Sequence, residues 1–183
     1  MLEELLKYDT DLFLFLNNLG SESWDGFWLF VTHKLSSIPL YLVLLYLVWK
    51  HFQWKGALLI LVCVAIMITA TDQLANLFKY VLFERPRPCR VEDLQDQMRL
   101  VANGCGRYGY FSAHAASSMA VAVFVGLLLR NNYKYLPFLF IAYSRIYLGV
   151  HYPLDIITGM FFGGIIGWFF YKLQQKLSLS FRA

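Results

Sequence analysis

The residues of this chain that could do chemistry fall into three groups. The sharpest lies late in the chain: Ser144-Arg145, five residues, His151, three residues, Asp155. Pro153 suits the first turn of a helix, where the N–H it lacks would have no partner anyway. His151 then sits just before a helix and Asp155 one turn inside it. A carboxylate there can accept one ring N–H of the imidazole and leave the other nitrogen free as a nucleophile. Arg145 offers a guanidinium fork suited to phosphate oxygens. The middle group is Phe111-Ser112-Ala113-His114. Ser112 reads as a helix N-cap, and the free N–H groups and positive dipole end of a helix N-terminus suit a phosphate. The Ser112 hydroxyl and the Ala113 N–H become phosphate donors, and His114 a general acid for the leaving oxygen. The earliest group is Lys79 followed by Glu84-Arg85-Pro86-Arg87-Pro88.

Each group alone has a plainer explanation. A His and an Arg at a membrane interface can snorkel to the headgroups, a serine can cap a helix beside an incidental His, and a span can simply end in basic residues. Asp72 and Asn76, two turns and one turn before Lys79, read first as polar packing between helices and second as groups orienting Lys79. Taken together and in this order, the three groups describe one electropositive pocket built to hold phosphate beside a histidine.

The elements that must position them are membrane helices. The chain has 183 residues, 58% hydrophobic and only 15% charged, with a mean hydropathy of +0.50. Soluble domains carry roughly 25% charged residues, so the apolar excess must face something other than water. A spanning helix needs about 20 mostly apolar residues. Five segments qualify or approach this: 36–49, 56–83, 113–129, 135–147 and 153–171. Leu12 to Leu16 and Phe27 to Val31 are too short to cross. Residues 1–33 therefore read as two interfacial helices, with Trp24 and Trp28 near the headgroups, and a sixth span there as the alternative. The fold class is all-α: a polytopic helical bundle of five to six transmembrane helices. It divides into N-terminal interfacial helices (1–33), a membrane domain (34–175) and a cytoplasmic tail (176–183). Met1 to Lys7 alternates acids and bases with no cleavage site after an apolar stretch, so no signal peptide is expected.

Lys79, Arg85, Arg87, His114, Arg145, His151 and Asp155 all fall at the same ends of these spans. Charge inside a membrane is costly, so such a cluster reads as functional. The opposite connections, with Lys50 and Lys55, Arg130 and Lys134, and Lys172, Lys176 and Arg182, carry no acid. They read as cytoplasmic, which places residues 84–112 and the pocket outside. In an oxidising compartment Cys89 and Cys105 could close the loop between them, worth about 3 kcal/mol of unfolded-state entropy, with two free thiols as the alternative. Cys63, inside a span, reads as packing. No cysteine or acid cluster has metal-site spacing, and no basic surface interleaved with aromatics argues for nucleic acid.

The three groups resemble the motifs of the type 2 phosphatidic acid phosphatase superfamily: Lys, six residues, Arg-Pro; then Pro-Ser-Gly-His; then Ser-Arg, five residues, His, three residues, Asp. The resemblance covers about residues 36–172, and the last motif matches at every defined position. It implies a metal-free, cofactor-free phosphatase in which His151 forms a phosphohistidine, Asp155 orients it and His114 protonates the leaving group. Lys79, Arg87, Ser112, Ala113 and Arg145 would hold the phosphate, with Arg85 as the alternative motif arginine. Two departures stand out. Phe111 and Ala113 replace Pro and Gly, and seven residues separate Lys79 from Arg87 while five separate it from Arg85. The extra residue requires a flexible Lys79 or a local bulge. The expected partners are membrane lipids and a lipid phosphate substrate, with the chain in a bacterial inner membrane and its site facing the periplasm. Undecaprenyl diphosphate is the first substrate expected; lipid A (a 1-phosphatase), phosphatidylglycerophosphate and phosphatidate are the rivals. The expectation from another class is a catalytically silent protein that binds or transports phospholipids. Arg90, Arg99 and Arg107 read as solvated charges or as contacts to a second phosphate.

Overall fold

The computed structural model describes residues 1–130 and 136–180. Among them the structure is helical, with no strand and a single isolated bridge, Pro86 to Tyr108. The longer helices are α1 (Leu2–Asn18), α2 (Glu22–Thr32), α3 (Ile38–Leu77), α5 (Ala113–Leu129), α6 (Leu136–Tyr147) and α7 (Pro153–Ser180), with a four-residue α4 (Glu92–Gln95) in the long loop.

Helix α3 is two passes rather than one. At Gln53 the backbone leaves helical geometry (φ 57°, ψ −178°) and the chain folds back. Leu44 and Val48 line the same cavity, of about 200 Å³, as Ile60 and Val64. In a continuous helix Leu44 and Ile60 would stand about 24 Å apart at 1.5 Å per residue. The two expected segments 36–49 and 56–83 are these two arms. The second arm continues into a π-helical turn, Phe78–Leu82.

The tightest helix pair is α5 with α7. Gly159, Gly163 and Gly167 recur every four residues and so form one stripe on α7. A Cβ on Gly163 would run into the Ala116 carbonyl oxygen, one on Gly167 into that of Ala120, and one on Gly159 would sit 2.6 Å from that of Ser112. Small residues at this spacing let two backbones touch, the usual device where lipid removes the hydrophobic drive between helices. Around this seam lies the main core, with Val48, Ile60, Cys63, Met67, Val121 and Phe124. The free Cys63 is buried in it. A second core lies at the end of the bundle where α5 and α7 begin. There Phe13 of α1 and Leu94 and Met98 of the loop pack with Ala142, Leu148 and Tyr152.

The outward faces are apolar: Leu58, Leu61, Val62 and Ile66 on α3, and Phe161, Ile165, Trp168 and Phe169 on α7, are exposed. Apolar surface on this scale calls for a nonaqueous neighbour. By length and composition Ile38–Leu82 and Pro153–Leu177 can cross a membrane, while Ala113–Leu129 and Phe138–Tyr147 are apolar but shorter. Three local differences from the sequence reading stand out. Helix α7 continues beyond 171 to Ser180, so residues 176–180 of the expected tail are helical; the remainder of that tail, 181–183, lies outside the described residues. Asp72 and Asn76 are exposed on the outer face of α3 rather than packed between helices. Helix α1 is far longer than its short apolar run, because Asp9, Phe13 and Asn17, four residues apart, share a buried face.

Candidate active site

Four chain segments converge at the end of the bundle carrying the second core. Helix α6 stops where Gly149 adopts φ +77°, a left-handed turn that only glycine adopts without strain. The next three residues carry His151 across to Pro153, which opens α7. His151 is 1% exposed and Asp155 not exposed at all. His151 Nδ1 lies 3.1 Å from Asp155 Oδ2, which also accepts the Tyr152 N–H at 3.1 Å. The Gly109 backbone passes beside the same ring, where an added Cβ would sit 3.5 Å from Nδ1. With Nδ1 turned towards the carboxylate, Nε2 is the nitrogen left for chemistry. Burial first, and then the charges of Arg87, Arg145 and Lys79, push the His151 pKa well below its ordinary value. The ring is thereby held neutral, the form that can act as a nucleophile.

Helix α5 begins at Ser112, whose side chain accepts the Ala115 N–H at 3.4 Å and whose own N–H donates to the Asp155 carbonyl at 3.0 Å. That second bond fixes the N-termini of α5 and α7 side by side, so two positive helix ends face one place. Ala113 and His114 occupy the first turn of α5. His114 opens onto a cavity of about 170 Å³ shared with Thr32, Tyr41, Ser117 and Ile141. It stands within Coulombic reach of Arg145, His151, Lys79 and Arg87.

The cations divide into two sets. Lys79, Arg87 and Arg145 lie within Coulombic reach of one another. Lys79 is buried on the π-helical turn. A π turn holds one residue more than an α turn, which absorbs the extra residue between Lys79 and Arg87. Arg87 Nε donates to the Tyr108 carbonyl at 2.9 Å, leaving its two terminal nitrogens for other partners. Arg145 Nη1 donates to Thr32 Oγ1 at 2.5 Å, while its buried Nε has no partner. Among the described residues none of these three makes an ion pair. Three gathered cations without a direct carboxylate partner describe an anion site. Arg85 is different. It pairs with Asp9 at 2.6 Å and with Asp155 at 3.5 Å, and its guanidinium lies 3.7 Å above the Tyr152 ring. The structure thus brings Lys79, Arg87, Ser112, Ala113, His114, Arg145, His151 and Asp155 together, and sets Arg85 behind the His–Asp pair.

The loop over this end is tied down. Cys89 and Cys105 are disulfide-bonded, with Cα atoms 6.5 Å apart. Arg99 forks onto both Asp25 oxygens at 2.9 and 3.0 Å, and Arg90 donates to the Cys105 carbonyl at 2.7 Å. Gly109 passes against the centre, where an added Cβ would sit 3.0 Å from Asp155 Oδ2 and 3.1 Å from Arg87 Cγ. The sequence reading missed Asp9, Thr32 and Gly109. Asp9 had a signal, an acid on the same face as Phe13 and Asn17; Thr32 and Gly109 had none.

A membrane-embedded helical bundle with a buried His–Asp pair, a second histidine at a helix N-terminus and a cation cluster defines a phosphatase of one class. Residues 57–179 match the PAP2 superfamily, and the chain belongs to it: it is a membrane lipid phosphatase, a hydrolase of phosphate esters. A lipid A 4'-phosphatase of Bacteroides thetaiotaomicron is 38% identical over 97% of this chain and 82% of its own length. One of Porphyromonas gingivalis is 31% identical over 94% and 75%. In fold, the chain resembles Aquifex aeolicus LpxE (TM-score 0.65, 24% identity, 89% of this chain and 94% of that one). It also resembles the phosphatidylglycerolphosphate phosphatase of Bacillus subtilis (TM-score 0.72, 15% identity, 94% and 87%). The relatives' names fit the lipid A alternative rather than the undecaprenyl diphosphate first expected.

Proposed function

We propose that the chain removes a phosphate monoester from a lipid A-type phosphoglycolipid through a phosphohistidine on His151. The observation that carries the chemistry is the buried imidazole held by Asp155 beside Lys79, Arg87 and Arg145, three cations that make no ion pair among the described residues. The similarity along nearly the whole chain to two lipid A 4'-phosphatases supports a lipid A-type substrate and favours its 4'-phosphate over its 1-phosphate.

Lys79, Arg87 and Arg145, with the Ser112 hydroxyl and the Ala113 N–H, clamp the phosphoryl oxygens. His151 Nε2 attacks phosphorus in line as the bond to the sugar oxygen breaks, and His114 gives that oxygen its proton. Asp155 holds Nδ1–H and balances the positive ring. His114, now deprotonated, takes a proton from water, whose oxygen attacks the phosphohistidine and frees inorganic phosphate and His151. The residues position and stabilise charge, and the histidine supplies the covalent step.

Five passes fit this reading: the two arms of α3, then α5, α6 and α7, with α1 and α2 lying at the interface. The acid-free connections face the cytoplasm and the site faces the periplasm of an inner membrane. Release of phosphate from lipid A by detergent-purified protein, with chelator present, tests the proposal. Chelator-resistant release confined to the 4' position is expected, and phosphatidate or undecaprenyl diphosphate as the preferred substrate would replace the lipid A assignment. Absence of release from all of them by folded protein would make this a silent phospholipid-binding chain.

A further inference from the structure

Asp155 is fully buried, and both its oxygens are fixed. Oδ2 takes His151 and the Tyr152 N–H; Oδ1 faces Arg85 Nη1 at 3.5 Å. The same Arg85 nitrogen is much closer to Asp9 Oδ2, at 2.6 Å. Asp9 therefore decides where Arg85 sits. Asp9 is itself anchored to the catalytic helix, since its Oδ1 accepts the Leu154 N–H at 2.8 Å, one residue before Asp155. Two aromatic contacts close the arrangement: Arg85 lies on the face of Tyr152, and the edge of that ring packs against Phe13, one turn after Asp9 on α1, with centroids 5.4 Å apart.

From this we infer that Asp9 and Arg85 form a positioning pair through which the N-terminal helix sets the orientation of the Asp155–His151 nucleophile. Arg85 is not a phosphate ligand. Its charge lies between two carboxylates and on an aromatic face, whereas Arg87, two residues on, makes no ion pair among the described residues. A guanidinium whose one terminal nitrogen already meets two acids is neutralised locally and is poorly placed to bind a substrate anion. Its removal would free Asp155 Oδ1 and let the carboxylate and imidazole rotate. Misplacing a reacting group by about 1 Å costs on the order of a hundredfold in rate. The inference rests on His151 being the nucleophile of the proposed phosphatase.

The test compares Asp9→Asn, Arg85→Met, Arg85→Lys and Asp9→Asn/Arg85→Met with Asp11→Asn, an exposed acid on the same helix. Phosphate release from lipid A is measured per molecule of monodisperse protein, with kcat and KM separated. Asp9→Asn keeps the size of the side chain and an acceptor for Leu154. The expected result is a kcat lowered on the order of 10- to 100-fold with KM within about twofold. Arg85→Lys should recover part of the loss in Arg85→Met, and the double variant should be no worse than Arg85→Met alone. A wild-type kcat in Asp9→Asn overturns the inference, as does an Arg85→Met variant whose KM rises while kcat holds. A lower melting temperature with unchanged kcat also overturns it, since that is a structural role. No release by the wild type would instead overturn the proposed function and, with it, this inference.

Discussion

The end of the bundle that holds the candidate site and the seam between α5 and α7 solve opposite problems. The seam has no charge and no room. Gly159, Gly163 and Gly167 let the backbone of α7 rest on the carbonyls of Ser112, Ala116 and Ala120, and its strength comes from close contact alone. The site end is crowded with buried polar groups: Lys79, Ser112, His151 and Asp155 are all buried there. Burying a charge is costly unless it is paired, and here Lys79, Arg87 and Arg145 make no ion pair among the described residues. The comparison teaches that stability is concentrated where nothing reacts, and tension where something does. The two regions also touch, because Ser112 both meets the first glycine of the seam and bonds the backbone of Asp155.

The sharpest way to separate them is His151→Ala. It should abolish turnover, by on the order of 10⁴-fold or more, and leave the bundle folded; lipid A phosphate release and size-exclusion profile check both halves. His114→Ala should cost roughly 10²- to 10⁴-fold in kcat, least with a substrate whose leaving group needs no proton. Arg87→Ala should act mainly on KM, in contrast to the expectation for Arg85, and the same kinetics report it.

In the seam the order reverses. Gly163→Ala drives a methyl into the Ala116 carbonyl and should destabilise by about 1–3 kcal/mol. Gly164→Ala, one residue on, meets nothing within 4 Å and should be silent. Thermal unfolding in detergent distinguishes them, and equal midpoints would break the comparison. The smallest effect expected is in pH. The unfolded chain protonates His151 near its ordinary value of 6.5, while the folded chain does so only well below it. Between those values the unfolded state binds more protons, so stability should fall as pH drops below about 6.5. A midpoint measured against pH should show less of this slope in His151→Gln.

Much of the candidate site was legible along the chain because its geometry is local. His151 and Asp155 are one helical turn apart with Pro153 between them, and Ser112 caps the helix bearing His114, so sequence spacing translates directly into geometry. The helices behave alike, since a run of apolar residues long enough for a membrane has few other fates. The Gln53 turn lies between two apolar runs and was implied by them. The π turn at Lys79 was implied only as a spacing that did not fit an α-helix.

What the tertiary structure decided is everything that depends on residues far apart in sequence. Arg85 and Arg87 are interchangeable in a one-dimensional motif, each followed by proline. Only the approach of α1, which delivers Asp9, shows that one lies between acids while the other does not. Thr32 reaching Arg145, and Gly109 passing within a methyl's width of Asp155, are likewise contacts between distant segments. The stripe of glycines was visible, but what it packs against was not. The sequence by itself determined the candidate groups His151, Asp155, Ser112 and His114 and the helices that carry them, because both follow from local spacing and from hydropathy. Which arginine meets the buried acids was decided by packing, because that depends on where the distant segments meet.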